Sequence, residues 1–218
     1  MDRTLQAGVI GLGKFGYKFG KTLMELGHTV VGIDNNPDNI KLSQHVFTQV
    51  FQADATDKTA LAQIGVGDLS HVLVSVGDSI AASAMISMYL KELGVEVVWV
   101  KAINSDHEKL LRKIGVDEVV RPEHLAAKQL ANRMAIPGFI ELLPFDKTMA
   151  IKELMITEWA GKSLRELDIT NRFNIQVIAT RKARATMFKF IPKADERLES
   201  GDVLVVIGHI EELNSLES

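Results

Sequence analysis

Val9-Ile10-Gly11-Leu12-Gly13-Lys14-Phe15-Gly16 runs a short apolar strand into a G-x-G-x-x-G turn. The spacing predicts an amphipathic helix directly after it, with Phe15, Phe19, Leu23 and Leu26 on one face, because residues three and four apart share a side of a helix. In that setting the glycines point to nucleotide binding. Gly11 permits the tight turn, Gly13 lets the backbone approach a pyrophosphate, and Gly16 lets the helix lie close on the sheet. The unpaired N–H groups of the first helical turn then face the phosphates. The next apolar run, Thr29-Val30-Val31-Gly32-Ile33, ends in Asp34, eighteen residues beyond Gly16. A carboxylate there is placed to accept hydrogen bonds from a ribose diol, and its charge opposes a 2′-phosphate, favouring NAD over NADP. A merely structural βαβ turn is the competing reading of the glycines.

Composition narrows the field. With 218 residues and 46% hydrophobic content the chain holds one large or two smaller cores. A net charge of −3 argues against a nucleic-acid partner, and the lack of cysteine removes disulfides, thiol nucleophiles and Cys-ligated metals. Met1-Asp2-Arg3-Thr4 has no signal-peptide character, and no apolar run approaches the roughly 18 residues of a spanning helix. The expectation is a soluble cytoplasmic protein that would reach a membrane only through a partner.

Outward from the glycine turn, strands and helices alternate. Asn36 and Pro37 form an N-cap and first helical position, opening a helix to about His45. A strand is predicted over Val46 to Gln52, ending in Ala53-Asp54-Ala55-Thr56-Asp57, with Thr56 expected to cap the next helix. Asp54 lies where ligands approach an open parallel sheet, so it reads either as part of an adenosine pocket or as a turn aspartate. Further strands are predicted over His71 to Val76, Val95 to Val100 and Glu118 to Arg121. The helices between them are one after Ser79 and one opened by a capping box at Ser105-Asp106-His107-Glu108. Pro122 starts another helix, to about Met134.

The result is a Rossmann-like doubly wound parallel sheet over residues 1–136, with Ile136-Pro137-Gly138 as linker. Beyond it, predicted strands at Met149 to Thr157, Ile175 to Arg181, Thr186 to Ile191 and Val203 to Ile207 build a small α+β lobe over 137–218. Short helices are expected near Ser163 to Leu167 and Ile210 to Leu216.

A dinucleotide fold first suggests a dehydrogenase, but hydride transfer also needs a positioned acid or base and a substrate anchor. The six histidines are scattered, and GxSxG, HExxH and Walker A sequences are absent. The residues fit binding better than turnover, with a small NAD-dependent oxidoreductase or NAD(H) redox sensor as the alternative.

The chain resembles the RCK family, built of TrkA-N and TrkA-C parts, whose members are cytosolic regulators of Ktr/Trk-type potassium uptake systems. The resemblance rests on Gly11 to Gly16, Val31-Gly32-Ile33-Asp34, Ala53-Asp54-Ala55-Thr56, Leu90-Lys91-Glu92-Leu93-Gly94 and Trp99-Val100-Lys101-Ala102. It extends through Lys113-Ile114-Gly115-Val116-Asp117, Arg121-Pro122-Glu123 and the Gly201-Asp202 turn before Val203 to His209. It implies a regulatory subunit, not an enzyme: a homodimer with a helix crossing between subunits, assembling into a homo-octameric ring. The ring would sit on the inner face of the cell membrane against an integral-membrane potassium-translocating subunit of the KtrB or TrkH kind. ATP, ADP or NAD(H) would bind, with ATP and ADP favouring different ring shapes.

By position the resemblance gives Gly11, Gly13, Lys14, Phe15 and Gly16 to the phosphates and Asp34 to the ribose. Asp54 and Ala55 would border the adenine, and Ser75, Val76 and Gly77 would line the floor. Glu123 matches a carboxylate that holds Mg2+ or another cation beside the phosphates; taken alone, it is a first-turn helix residue favoured by the dipole. Lys14 stands where relatives often carry arginine and lacks the two-pronged donor geometry. Thr170 stands where relatives that bind cyclic di-AMP carry arginine, so that ligand stays unassigned.

Overall fold

A computed structural model describes residues 4–77, 79–135, 138–143 and 146–216. The chain divides into two compact units, Met1–Pro122 and Glu123–Ser218. Ile136 and Pro137 of the linker expected at Ile136-Pro137-Gly138 lie outside the described residues, and Gly138 adopts φ +73.

In the first unit, strands and helices alternate strictly: β1 (Gln6–Ile10), α1 (Lys14–Glu25), β2 (Thr29–Asp34), α2 (Pro37–Ser43), β3 (Gln49–Gln52) and α3 (Lys58–Ile64), then β4 (His71–Val74), α4 (Ile80–Glu92), β5 (Val97–Lys101), α5 (Ser105–Ile114) and β6 (Glu118–Val120). The sheet order is β3-β2-β1-β4-β5-β6 and every pairing is parallel. Strands covered on both faces read as continuous apolar runs; accordingly Val72, Leu73, Val74, Val98 and Val100 are buried. The order turns back between β1 and β4, and the crevice beyond their carboxyl ends is where such sheets take ligands. The expected doubly wound sheet is what forms.

Local details differ from the sequence reading in instructive ways. Along α1 the buried residues are Gly16 and Gly20, while Leu26 is 67% exposed. Phe47 lies against Gly20, where an added Cβ would come 2.5 Å from the ring. The helix therefore settles on the sheet along a glycine stripe, with Phe15, Phe19 and Leu23 only partly buried beside it. Asp57 caps α3 in place of Thr56, and Asn104 caps α5 in place of a capping box at Ser105.

The unit boundary falls after the first residue of α6 (Pro122–Ala135), a helix in which no residue is buried. The second unit continues through β7 (Phe139–Leu143), β8 (Asp146–Met155), α7 (Leu164–Leu167), α8 (Ile169–Phe173), β9 (Gln176–Arg181), β10 (Lys189–Phe190), β11 (Val203–His209) and α9 (Ile210–Asn214). The sheet is antiparallel in the order β10-β9-β11-β8-β7. Ile156, Ile175, Leu198, Leu204 and Leu213 are fully buried in its core. The strand expected over Thr186 to Ile191 is only the two-residue β10, because Ile191 turns to φ +54 ahead of Pro192.

Candidate functional site

The three glycines of the β1–α1 turn do two different jobs. Gly11 adopts φ +90, and a Cβ there would meet the Ser75 carbonyl oxygen at 2.8 Å. The turn is pinned on both sides: Gly11 N–H donates to Ile33 O at 2.8 Å, and Ser75 N–H donates to Ile10 O at 2.7 Å. A Cβ on Gly16 would collide with the Gly11 carbonyl oxygen. Gly13 is different: an added Cβ would meet nothing within 4 Å. Two glycines close the turn against its neighbours, and the middle one keeps its outer face open.

That open face lies at the start of α1. Gly13 is the N-cap; it offers no side-chain hydrogen bond, and the first turn carries no acidic residue. The other α-helices of this unit are capped by the side chains of Asn36, Asp57, Ser79 and Asn104. An uncapped helix start leaves donors and the positive end of the dipole for an outside anion. Cationic side chains stand close by. Lys14 is exposed on the first turn, and Lys101, at the end of β5, holds its Nζ 5.7 Å from the Phe15 ring centre.

Asp34 ends β2 and braces the turn from the other side. Its Oδ2 accepts Leu12 N–H at 2.6 Å and Asn39 Nδ2 at 3.0 Å, and its Oδ1 accepts Asn36 N–H at 2.8 Å. Asn39, on α2, escaped the sequence reading; the signal was a side-chain amide five residues past the strand-end carboxylate.

The end of β3 is tied to β2 by Ala53 N–H donating to Asp34 O at 3.0 Å. This brings Asp54 and Ala55 to the same sheet edge, with Ala55 buried and Asp54 exposed. Asp54 Oδ1 accepts both Thr56 N–H at 2.9 Å and Thr56 Oγ1–H at 2.7 Å. Those bonds, the side-chain one foremost, hold its carboxyl below the ordinary value. Asp54 is thus a turn aspartate as built, whatever else it touches. Ser75, Val76 and Gly77 are half-buried after β4, with Ser75 and Val76 against Gly11.

Glu123 lies in the second unit, exposed in the first turn of α6. No three His, Asp or Glu side chains among the described residues group as a metal site. Thr170 lies on α8, where the Arg172 guanidinium sits 5.1 Å from the Phe173 ring centre.

An open parallel sheet entered by a glycine turn and an appended antiparallel lobe define a Rossmann-like protein with a second domain. Residues 7–122 match the TrkA-N domain and residues 156–218 the TrkA-C domain, and the chain belongs to that family. It is 33% identical to Ktr system potassium uptake protein C of Bacillus subtilis over 210 residues, 96% of this chain and 94% of that one. It is 30% identical to Ktr system potassium uptake protein A of Vibrio alginolyticus over 215 residues, 98% of this chain and 97% of that one. Among solved structures, the GsuK channel bound to NAD shares the fold at TM-score 0.65 and 20% identity, covering 97% of this chain and 38% of that one. The relatives are potassium uptake proteins, and the oxidoreductase alternative gives way to regulation. No helix among the described residues is long and apolar enough to cross a membrane.

Proposed function

We propose that this chain is the nucleotide-sensing regulatory subunit of a Ktr/Trk-type potassium uptake system. An adenine nucleotide would occupy the β1–α1 turn. Gly11, Gly13, Lys14, Phe15 and Gly16 would hold its phosphates, Asp34 its ribose, and Asp54 with Ala55 the adenine side, above a floor of Ser75, Val76 and Gly77. The observation that carries this reading is the uncapped start of α1, open at Gly13 and hydrogen-bonded to Asp34 through Leu12. The family and its potassium uptake relatives support the regulatory role.

Regulation then follows from differential affinity. The subunit would form dimers, assemble into an octameric ring and act from the cytoplasmic face on a membrane potassium-translocating partner. Moving a two-state ring from 1:99 to 99:1 takes about 5.5 kcal/mol of differential binding. Shared over eight sites, that is roughly 0.7 kcal/mol each, about a threefold preference per site. Glu123 would hold Mg2+ or another cation.

The test is calorimetric titration of nucleotide-stripped protein with ATP, ADP and NADH, with and without magnesium. Competitive binding of ATP and ADP without hydrolysis is expected. NADH binding with negligible ATP affinity would replace this reading with an NAD(H) sensor.

A further inference from the structure

The Asp34 carboxylate is more heavily engaged than a free ribose acceptor. A carboxylate oxygen offers two in-plane lone pairs. Oδ2 spends both, on Leu12 N–H and Asn39 Nδ2, while Oδ1 has one left beside Asn36 N–H. A ribose brings two neighbouring hydroxyls, so Asp34 alone can take one of them without giving up a protein donor. The Leu12 and Asn36 donors are backbone groups, one fixed in the glycine turn and the other at the N-cap of α2. Asn39 supplies the third donor from a half-buried side chain, and the carbonyl oxygen of that amide accepts no hydrogen bond among the described residues.

We infer that Asn39 is a second ribose-reading residue. One sugar hydroxyl donates to the remaining lone pair of Asp34 Oδ1, and the other donates to the amide oxygen of Asn39, whose Nδ2 keeps its bond to Asp34 Oδ2. The inference rests on the nucleotide reading of the β1–α1 turn and extends it to the sugar. The ligand class is a ribonucleotide with both hydroxyls free. A 2′-phosphate is disfavoured here, because its charge would stand against the Asp34 carboxylate.

The experiment measures affinities of the full-length protein for ATP, 2′-deoxyATP and 3′-deoxyATP, for the wild type, Asn39→Ala and Asn39→Asp. Size-exclusion profiles and circular dichroism accompany each variant. The wild type is expected to bind each deoxy analogue about fivefold more weakly than ATP, the worth of one hydrogen bond. In Asn39→Ala the penalty for at least one analogue should collapse towards onefold. Asn39→Asp keeps an acceptor oxygen but loses the donor to Asp34, so it should bind all three more weakly while retaining both penalties. If Asn39 merely braces Asp34, Asn39→Ala lowers all three affinities by one factor and keeps both penalties, which overturns the inference. A wild type that binds ATP and both deoxy analogues equally also overturns it while leaving the nucleotide reading standing. Absence of any binding by the wild type removes both.

Discussion

Gly16 lies so close to the Gly11 carbonyl oxygen that no side chain fits between them. Gly13, three residues earlier, faces open space. The same substitution at the two positions therefore separates folding from binding. Gly16→Ala forces α1 off the sheet and should cost about 1–3 kcal/mol of stability, as overpacking does, together with nucleotide affinity. Gly13→Ala, at φ −63, should shift stability by no more than about 1 kcal/mol. Its methyl group would nevertheless stand where a phosphate must approach, lowering affinity roughly tenfold or more. Chemical denaturation and calorimetry on the pair decide it; normal binding by Gly13→Ala would take the phosphates away from this turn.

Asp34→Ala tests the other half of the site. It strips acceptors from Leu12 N–H, Asn36 N–H and Asn39 Nδ2, so about 1–3 kcal/mol of stability should go with it. Adenine-nucleotide affinity should fall while the oligomer measured by light scattering keeps its size. Unchanged affinity would remove Asp34 from the site.

What could be read from the sequence follows from how local the controlling physics is. Asn36-Pro37 is legible because an N-cap side chain and a fixed proline φ act within three residues, and Asn36 does accept Asp38 N–H at 2.9 Å. At Thr56-Asp57 and Asn104-Ser105 neighbouring residues can both cap, and the choice depends on which one is extended. Asp54 takes up the Thr56 hydroxyl, leaving the cap to Asp57. Leu26 matches the helical period, but the burial of α1 ends where its glycine stripe meets Phe47. β7 and α8 escape the sequence reading. β7 is an edge strand whose antiparallel pairing with β8 shifts register twice, which breaks the regular alternation a strand reading relies on. α8 follows Asp168 at φ +47, so Leu164 to Phe173 is two short helical pieces joined by a left-handed residue, each too short to show a helical period. The role of Asn39 depends on a contact between separate elements that no residue spacing encodes.

The second unit carries an acid-sensitive lock. Asp202 is 2% exposed; Oδ2 accepts Lys182 Nζ at 2.8 Å and Glu199 N–H at 2.9 Å, and Oδ1 accepts Ala183 N–H at 3.1 Å. Burial pushes the carboxyl up, but the Lys182 bond, the two backbone bonds and the lysine's charge outweigh it, leaving it below its ordinary 3.8. A carboxylate held low contributes stability that is present above the ordinary value and lost as pH falls through the native one. Below about pH 4 the wild type should lose stability more steeply than Asp202→Asn, which has no such proton to take up. At pH 7, Asp202→Ala should cost about 1–3 kcal/mol, because it takes the acceptor from Ala183 N–H and Glu199 N–H and leaves Lys182 only its bond to Arg197 O and its pairing with Glu199. Thermal melts from about pH 3 to about pH 7, spanning the carboxylate range, measure both; parallel curves for the wild type and Asp202→Asn would discharge Asp202 from the role.

His107 sets a second pH dependence, in the first unit and at milder acidity. The residue is 1% exposed on α5. Its Nδ1 accepts Ile103 N–H at 3.3 Å, which places the ring proton on Nε2, and Nε2 has no hydrogen-bond partner among the described residues. Burial holds the imidazole below its ordinary 6.5. The folded protein therefore keeps His107 neutral while the unfolded chain takes up a proton. The stability this contributes is complete above pH 6.5 and declines as pH falls from there towards the native value. His107→Leu should remove that slope. The variant leaves Ile103 N–H without its acceptor, so it starts about 1 kcal/mol less stable at neutral pH, and the two proteins should converge on acidification. Denaturant midpoints at about pH 7.5 and about pH 5.5, on either side of the histidine range, read the difference directly. Equal losses of stability in the two proteins would mean that His107 takes up its proton without opposition and that its burial carries no cost.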